Sequence, residues 1–176
     1  MGQHPMRFPW GFDEEDDRCQ KLKMELAQQI MALRQRGVTQ FLTACDCGVG
    51  LYAAEIVNGL RETADQDLML FCYTPHEEQA TKWAPYLRER YFTMLEKCTL
   101  ISVVCPVGTP DAQLQAYRKI IGLADVVLYV SNGQWGKQSL CFCCGKPYAH
   151  AGLASERADR RVGRRTVLSQ TVLITG

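Results

Sequence analysis

No apolar run in this 176-residue chain approaches the ~20 residues that a membrane-spanning helix needs. The start, Met1-Gly2-Gln3-His4-Pro5, lacks the basic and then apolar stretches of a secretory signal. The expected compartment is therefore the cytoplasm, with no membrane partner. Net charge is small as well: 20 Lys plus Arg against 19 Asp plus Glu leave +1, which argues against a protein that coats nucleic acid. The P-loop pattern Gly-x-x-x-x-Gly-Lys-Ser/Thr is absent, which excludes a P-loop NTPase. The three histidines, His4, His76 and His150, form no recognisable triad with any cysteine.

Cysteine is what the chain has in excess. Nine of them, an odd number without a secretion signal, do not suit a disulfide framework. Most stand in apolar stretches, as Cys72 does between Phe71 and Tyr73, and read as small buried hydrophobes. Cys141, Cys143, Cys144 and His150, with Cys45 and Cys47, hold ligand types that zinc uses. A single C-x-x-C falls short of the four ligands of a tetrahedral site, so no metal is expected.

Hydrophobic residues at 47% and charged residues at 22% describe a globular chain with a sizeable core, read as one domain over residues 1–176. Acidic residues at 13–17 precede Leu22, Leu26, Ile30 and Leu33 at helical spacing, and Gly37 supplies a stop. A strand at 38–45 leads through Gly48-Val49-Gly50 into a second helix. A strand at 67–73 is apolar enough to be covered on both faces, 99–104 reads as another buried strand, and 125–130 as a further strand. Helices are expected over 76–97, with a new segment at Pro85, over 111–123 and over about 139–158, and a last strand over 166–175. This alternation predicts an α/β fold: a three-layer sandwich with a mostly parallel central sheet and helices on both faces. Ligands in such folds bind beyond the carboxyl ends of the strands, which points to the loops 45–50, 74–78, 105–110 and 131–138.

In the first of these loops, Gly48 and Gly50 would let the backbone approach a phosphate at a helix N-terminus. A tight strand-to-helix turn needs glycines equally, and Gly-x-Gly alone is short of the dinucleotide fingerprint.

A wider set of residues carries a family resemblance: Gly2 and Pro5; Gly48 with Ala53-Ala54-Glu55; Pro75, Glu78-Gln79 and Trp83; Arg88-Glu89-Arg90-Tyr91; and Ala124-Asp125 before a strand. In this order and spacing, from residue 2 to about 151, the chain resembles the SLOG superfamily of Rossmann-like proteins, in its small bacterial YpsA-like branch. The resemblance implies a carboxyl-end crevice that binds a nucleotide or a nucleotide derivative of the NAD or ADP-ribose type. Gly2, Gln3, His4 and Pro5 would line it beside Cys47, Gly48, Val49 and Gly50, with Pro75, Glu78, Gly133 and Gly136. Glu55 would either face this pocket and accept hydrogen bonds from a ribose, or brace a neighbouring loop. Trp83 and Tyr91 read as packing residues.

The departures are equally specific. The family His-Arg is Gln3-His4 here, the acidic residue of the turn is replaced by Gly50, an Arg-Asn pair is Ala116-Tyr117, and Gly-Gly-Thr is Gly136-Lys137-Gln138. The phosphate-binding motif of the related cytokinin-activating enzymes, Pro-Gly-Gly-x-Gly-Thr-x-x-Glu, is missing. The expectation is a non-catalytic binder or sensor of a nucleotide-type small molecule, with no catalytic residue and no resident cofactor besides that ligand. An N-glycosidase acting on nucleotides and a protein-interaction domain are the alternatives, and a homo-oligomer is open. The arginines at 157, 160, 161, 164 and 165 read as a solvated loop, so a nucleic-acid partner is not expected.

The C-terminal Thr171-Val172-Leu173-Ile174-Thr175-Gly176 reads as the family's first strand does. The plainer reading, preferred here, is an ordinary last strand, the true first strand lying upstream. The alternative seats this end in the vacant central slot, as a circular permutation would.

Overall fold

The structure is a computed structural model and describes residues 4–131, 148–152 and 170–175. After a short 3-10 turn at Pro5–Arg7, helix α1 spans Asp17–Gln35. Its N-cap Asp16 accepts the Arg18 backbone N–H at 2.8 Å, satisfying a donor that the helix start leaves free. Its inward stripe is Cys19, Leu22, Leu26, Ile30 and Leu33, and Gly37, at φ 92°, turns the chain into strand β1, Val38–Thr43. Then follow α2 (Val49–Thr63), β2 (Met69–Thr74), α3 (Pro85–Glu96), β3 (Leu100–Val103), α4 (Ala112–Leu123), β4 (Val126–Ser131), β5 (Tyr148–Gly152) and β6 (Gln170–Thr175).

The six strands form one parallel sheet in the order β3-β2-β1-β6-β4-β5. Side chains alternate across it, as strand geometry requires. Phe41, Leu70, Cys72 and Leu128 join α1, α2 and α3 in one core layer. Leu42, Phe71, Tyr73 and Val127 join Tyr117, Ile120 and Ala124 beside α4 on the other face. The expected three-layer α/β sandwich is therefore the observed one.

Four local expectations are corrected. Residues 148–152, expected to be helical, form β5, with Tyr148 paired to Val127; Gly145 and Pro147 just ahead of it oppose a helix running through them. Residues 76–83 turn rather than coil, and Pro85, which lacks the N–H that a helix interior needs, opens α3 at its first turn. Strand β3 lies at the sheet edge rather than covered on both faces, and Leu100, Ile101 and Val103 are 46%, 48% and 39% exposed. The last correction is the largest. The C-terminal strand β6 is the fourth of six, hydrogen-bonded to β1 through pairs such as Leu42–Leu173 and to β4 through Val127–Leu173. The end of the chain thus occupies the central slot, against the preferred reading of an ordinary last strand. A β-branched and leucine-rich run suits a strand paired with a neighbour on each side.

Strands run outward from β1 to β3 on one side of β6, and from β4 to β5 on the other. The reversal opens a crevice at the carboxyl ends of the central strands.

Candidate functional site

Thr43 ends β1, and its hydroxyl accepts the Cys45 N–H at 3.0 Å. Cys45 then takes a left-handed backbone at φ 51°, uncommon outside glycine. Gly48 follows at φ 99°, ψ −124°, a conformation essentially closed to other residues. These two kinks swing the chain into α2, whose N-terminus has no side-chain cap. Helix starts of this kind leave backbone N–H groups for an incoming acceptor.

Beside this turn is a cavity of about 330 Å³ lined by His4, Asp46, Cys47, His76, Gln79, Trp83, Gln113 and Tyr117. The loops after β1 and β2 supply Asp46, Cys47, His76, Gln79 and Trp83, and α4 supplies Gln113 and Tyr117. The loop after β3 packs behind them: a Cβ on Gly108 would lie 3.1 Å from the His76 ring. Among the described residues, six buried side-chain polar atoms lack a hydrogen-bond partner. Four of them, Asp46 Oδ1, His76 Nδ1, Gln79 Oε1 and Gln113 Nε2, belong to residues of this cavity. Since buried polar groups are nearly always paired, such a concentration marks a place built to receive a partner.

Asp46 dominates the electrostatics. Burial pushes its carboxyl up to about 6, against the opposing hydrogen bond from the Tyr117 hydroxyl. The carboxylate lies over Gly50, where an added Cβ would collide with Asp46 Oδ1. Asp46, four residues earlier, thus fills the space that a side chain at position 50 would take. Gln79 ties the turn to the loop after β2, its Nε2 donating to Cys45 O at 2.9 Å and Ala44 O at 3.3 Å. Trp83 stands edge-on to Tyr91, centroids 5.2 Å apart, so it packs and lines the cavity at once. On its other side a second cavity, about 320 Å³, shares His4, Cys47 and Trp83 and adds Lys82, Phe12, Tyr86 and Leu87.

Of the residues expected at the site, His4 and Cys47 line the cavity. Gly48, Val49 and Gly50 form the adjoining helix start. Pro5 is buried in the N-terminal turn. Pro75 is buried too, its carbonyl accepting the Cys105 N–H at 2.9 Å, while Glu78 is exposed. Gly2, Gln3, Gly133 and Gly136 lie outside the described residues, as do Cys141, Cys143 and Cys144. Glu55 is not at the cavity. Its carboxylate takes two hydrogen bonds from Arg90, at 2.9 and 2.7 Å, and Arg90 also reaches Glu14 at 2.5 Å. It braces the N-terminal segment against α2 and α3, because a fixed bidentate guanidinium is the stronger partner within reach. Among the described residues no group of three His, Cys, Asp or Glu side chains is arranged to hold a metal, and no helix is long and apolar enough to cross a membrane.

Asp46, His76, Gln79, Gln113 and Tyr117 were not expected at the site. Asp46 stands within the glycine turn and His76 within the loop after β2, both flagged by position. Gln79 is the glutamine of the Pro-x-x-x-Gln-x-x-x-Trp pattern. Gln113 and Tyr117 carry no sequence signal, since α4 reaches the site only through the sheet topology.

The sequence is similar to those of several bacterial proteins. A UPF0398 protein of Halalkalibacterium halodurans is 35% identical over 83 residues, 47% of this chain and 43% of that protein. One of Oceanobacillus iheyensis is 29% identical over 80 residues, 46% and 42% of the two chains. One of Bacillus licheniformis is 29% identical over 124 residues, 69% and 67% of the two. The chain thus spans less than half the length of the first two. The YpsA sequence profile, described as the YspA SLOG family, matches residues 1–131, well over half of the chain. The chain belongs to the YspA SLOG family.

Proposed function

We propose that the protein binds a nucleotide derivative of the NAD or ADP-ribose type at the carboxyl-end crevice, without transforming it. The observation that carries this reading is the set of four unpartnered polar atoms on residues of one cavity. Among the described residues that line this cavity none is Lys or Arg, so it suits a neutral, hydrogen-bonding moiety such as a base and ribose. Lys82, across Trp83 in the adjoining cavity, and the uncapped start of α2 suit the phosphates. A ligand spanning both would pass Trp83, which offers an aromatic face.

The test is a thermal-shift and calorimetric series with adenosine, AMP, ADP-ribose and NAD. Affinity should rise from adenosine to the phosphorylated ligands. Gln113→Ala should weaken all of them, and Lys82→Ala only those with phosphate. No shift with any ligand of the series sinks the proposal.

One observation favours a second reading, a nucleotide N-glycosidase. Asp46, held near 6 beside the Tyr117 hydroxyl, is an acid matched to protonating a departing base near neutral pH. Incubation with nucleoside monophosphates and NAD decides between the two: released base that disappears in Asp46→Asn would establish the enzyme and displace the binder.

A further inference from the structure

Behind the turn that carries Asp46 lies a group of sulfur atoms that the binding site does not use. Cys45 Sγ and Cys72 Sγ are 2.6 Å apart, about 0.6 Å longer than a ~2.0 Å disulfide bond and well inside the separation of two non-bonded sulfurs. The register explains the approach: Cys72 pairs across the sheet with Thr43, and the left-handed Cys45 follows two residues later. Met94 Sδ is 3.8 Å from Cys45 Sγ and 3.6 Å from Cys98 Sγ. Both contacts share one sulfur, so Cys98 Sγ lies no more than 7.4 Å from Cys45 Sγ. Cys45 and Cys72 are fully buried and Cys98 half-buried, so the group runs from the protein surface to the back of the turn.

We propose that these three cysteines form a redox modification site, in which a peroxide oxidises Cys45 and Cys72 to a disulfide by way of Cys98. The Cys98 thiolate attacks one oxygen of hydrogen peroxide; an S–O bond forms, the O–O bond breaks, and the departing hydroxide takes a proton to become water. Cys45 sulfur then attacks Cys98 sulfur; an S–S bond forms, the S–O bond breaks, and water leaves with the Cys45 proton. Cys72 attacks Cys45 sulfur and expels Cys98, which keeps the electron pair of the broken S–S bond, while the Cys72 proton is released. In sum, two thiols lose two electrons and two protons and one peroxide becomes two waters.

The electrostatics agree with these roles. The neighbouring Cys45 and Cys72 thiols, aided by Arg61, pull the Cys98 thiol below its usual range, whereas burial pushes Cys45 and Cys72 up. The charged groups facing the cluster are Arg61 at Cys98 and Asp46 at Cys72. The attacking thiolate is thus the one nearest solvent, and the resolving thiols stay protonated until an electrophilic sulfur is beside them.

The experiment treats the reduced full-length protein with stoichiometric hydrogen peroxide, quenches in acid, alkylates under denaturing conditions and maps the peptides. The expected product is a Cys45–Cys72 linked peptide, lighter by two hydrogens and reversed by dithiothreitol. Cys98→Ser should slow its formation at least about tenfold, while Cys19→Ser leaves the rate unchanged. Dimedone added with the peroxide should label Cys98 in the unmutated protein, a readout that does not depend on any variant folding. Full alkylation of Cys45 and Cys72 after peroxide, disulfides confined to other cysteines, an unchanged rate in Cys98→Ser, or no dimedone label on Cys98 would each overturn the proposal.

Discussion

Two polar regions flank helix α2, and they are built on opposite principles. Along its length, Glu55, Arg90, Glu14 and Lys23 satisfy one another: Arg90 is shared by two carboxylates, and Lys23 meets Glu14 at 2.6 Å. At its N-terminus, Asp46, His76, Gln79 and Gln113 each keep an atom without a partner. The contrast separates structure from site. A network closed on itself joins elements, as charge-assisted hydrogen bonds between Arg and carboxylate do well. Polar atoms left open in a cavity cost stability, and they persist where an outside group completes them.

The largest expected effect that would break this contrast is at Asp46. Its carboxyl titrates near 6 in the fold against 3.8 when unperturbed, so the folded state holds a proton that the unfolded chain has released. Its contribution is therefore fully present below about pH 4 and is lost as pH rises through 6, by up to ~3 kcal/mol. Asp46→Asn should remove that downward slope. Urea unfolding of both proteins at intervals from pH 4 to 7.5 checks it, and parallel curves would show that Asp46 is not held in its protonated form.

Next is Arg90→Met, which strands Glu55 and Glu14. These groups are partly exposed, so solvent screening limits the expected loss to ~2 kcal/mol. It should appear as a lower urea midpoint with ligand affinity unchanged; a fall in affinity without loss of stability would restore Glu55 to the site. Gly50→Ala should cost ~1–2 kcal/mol, because its Cβ meets Asp46 Oδ1. In Asp46→Ala the same substitution should cost little, giving a coupling of ~1 kcal/mol in a double-mutant cycle. Additive effects would disprove that Asp46 fills the space over Gly50.

The smallest effect sharpens the comparison from the other side. Gln113 Nε2 donates to nothing among the described residues, so Gln113→Ala should leave the unfolding midpoint unchanged. It should still weaken nucleotide binding about tenfold, the equivalent of one hydrogen bond or ~1.4 kcal/mol. Calorimetry alongside the urea curve reads both.

Much of this was legible in the residues. The helix α1 stripe, Leu22, Leu26, Ile30 and Leu33, follows from spacing alone, because local periodicity reports which face is buried, and Pro85 marks the start of α3 because it lacks the N–H that a helix interior needs. The glycine turn at 48–50 marked a loop beside which a cavity opens. The turn's chemistry was less visible: only the fold shows that the Asp46 carboxylate lies over Gly50. Glu55 is the converse case. Its place one turn into α2 suits a pocket, and only the packing of α3 shows that Arg90 reaches it first.

The sequence by itself thus determined the alternation of helices and strands, the parallel sheet and the end of it at which to search, since these depend on neighbours within a few turns of chain. The tertiary structure decided the rest. It seated residues 170–175 between β1 and β4, carried Gln113 and Tyr117 to the loops after β1 and β2, and brought Cys45, Cys72 and Cys98 within reach of one another. Those are juxtapositions of distant segments, set by sheet order and register, and no local pattern of residues encodes them.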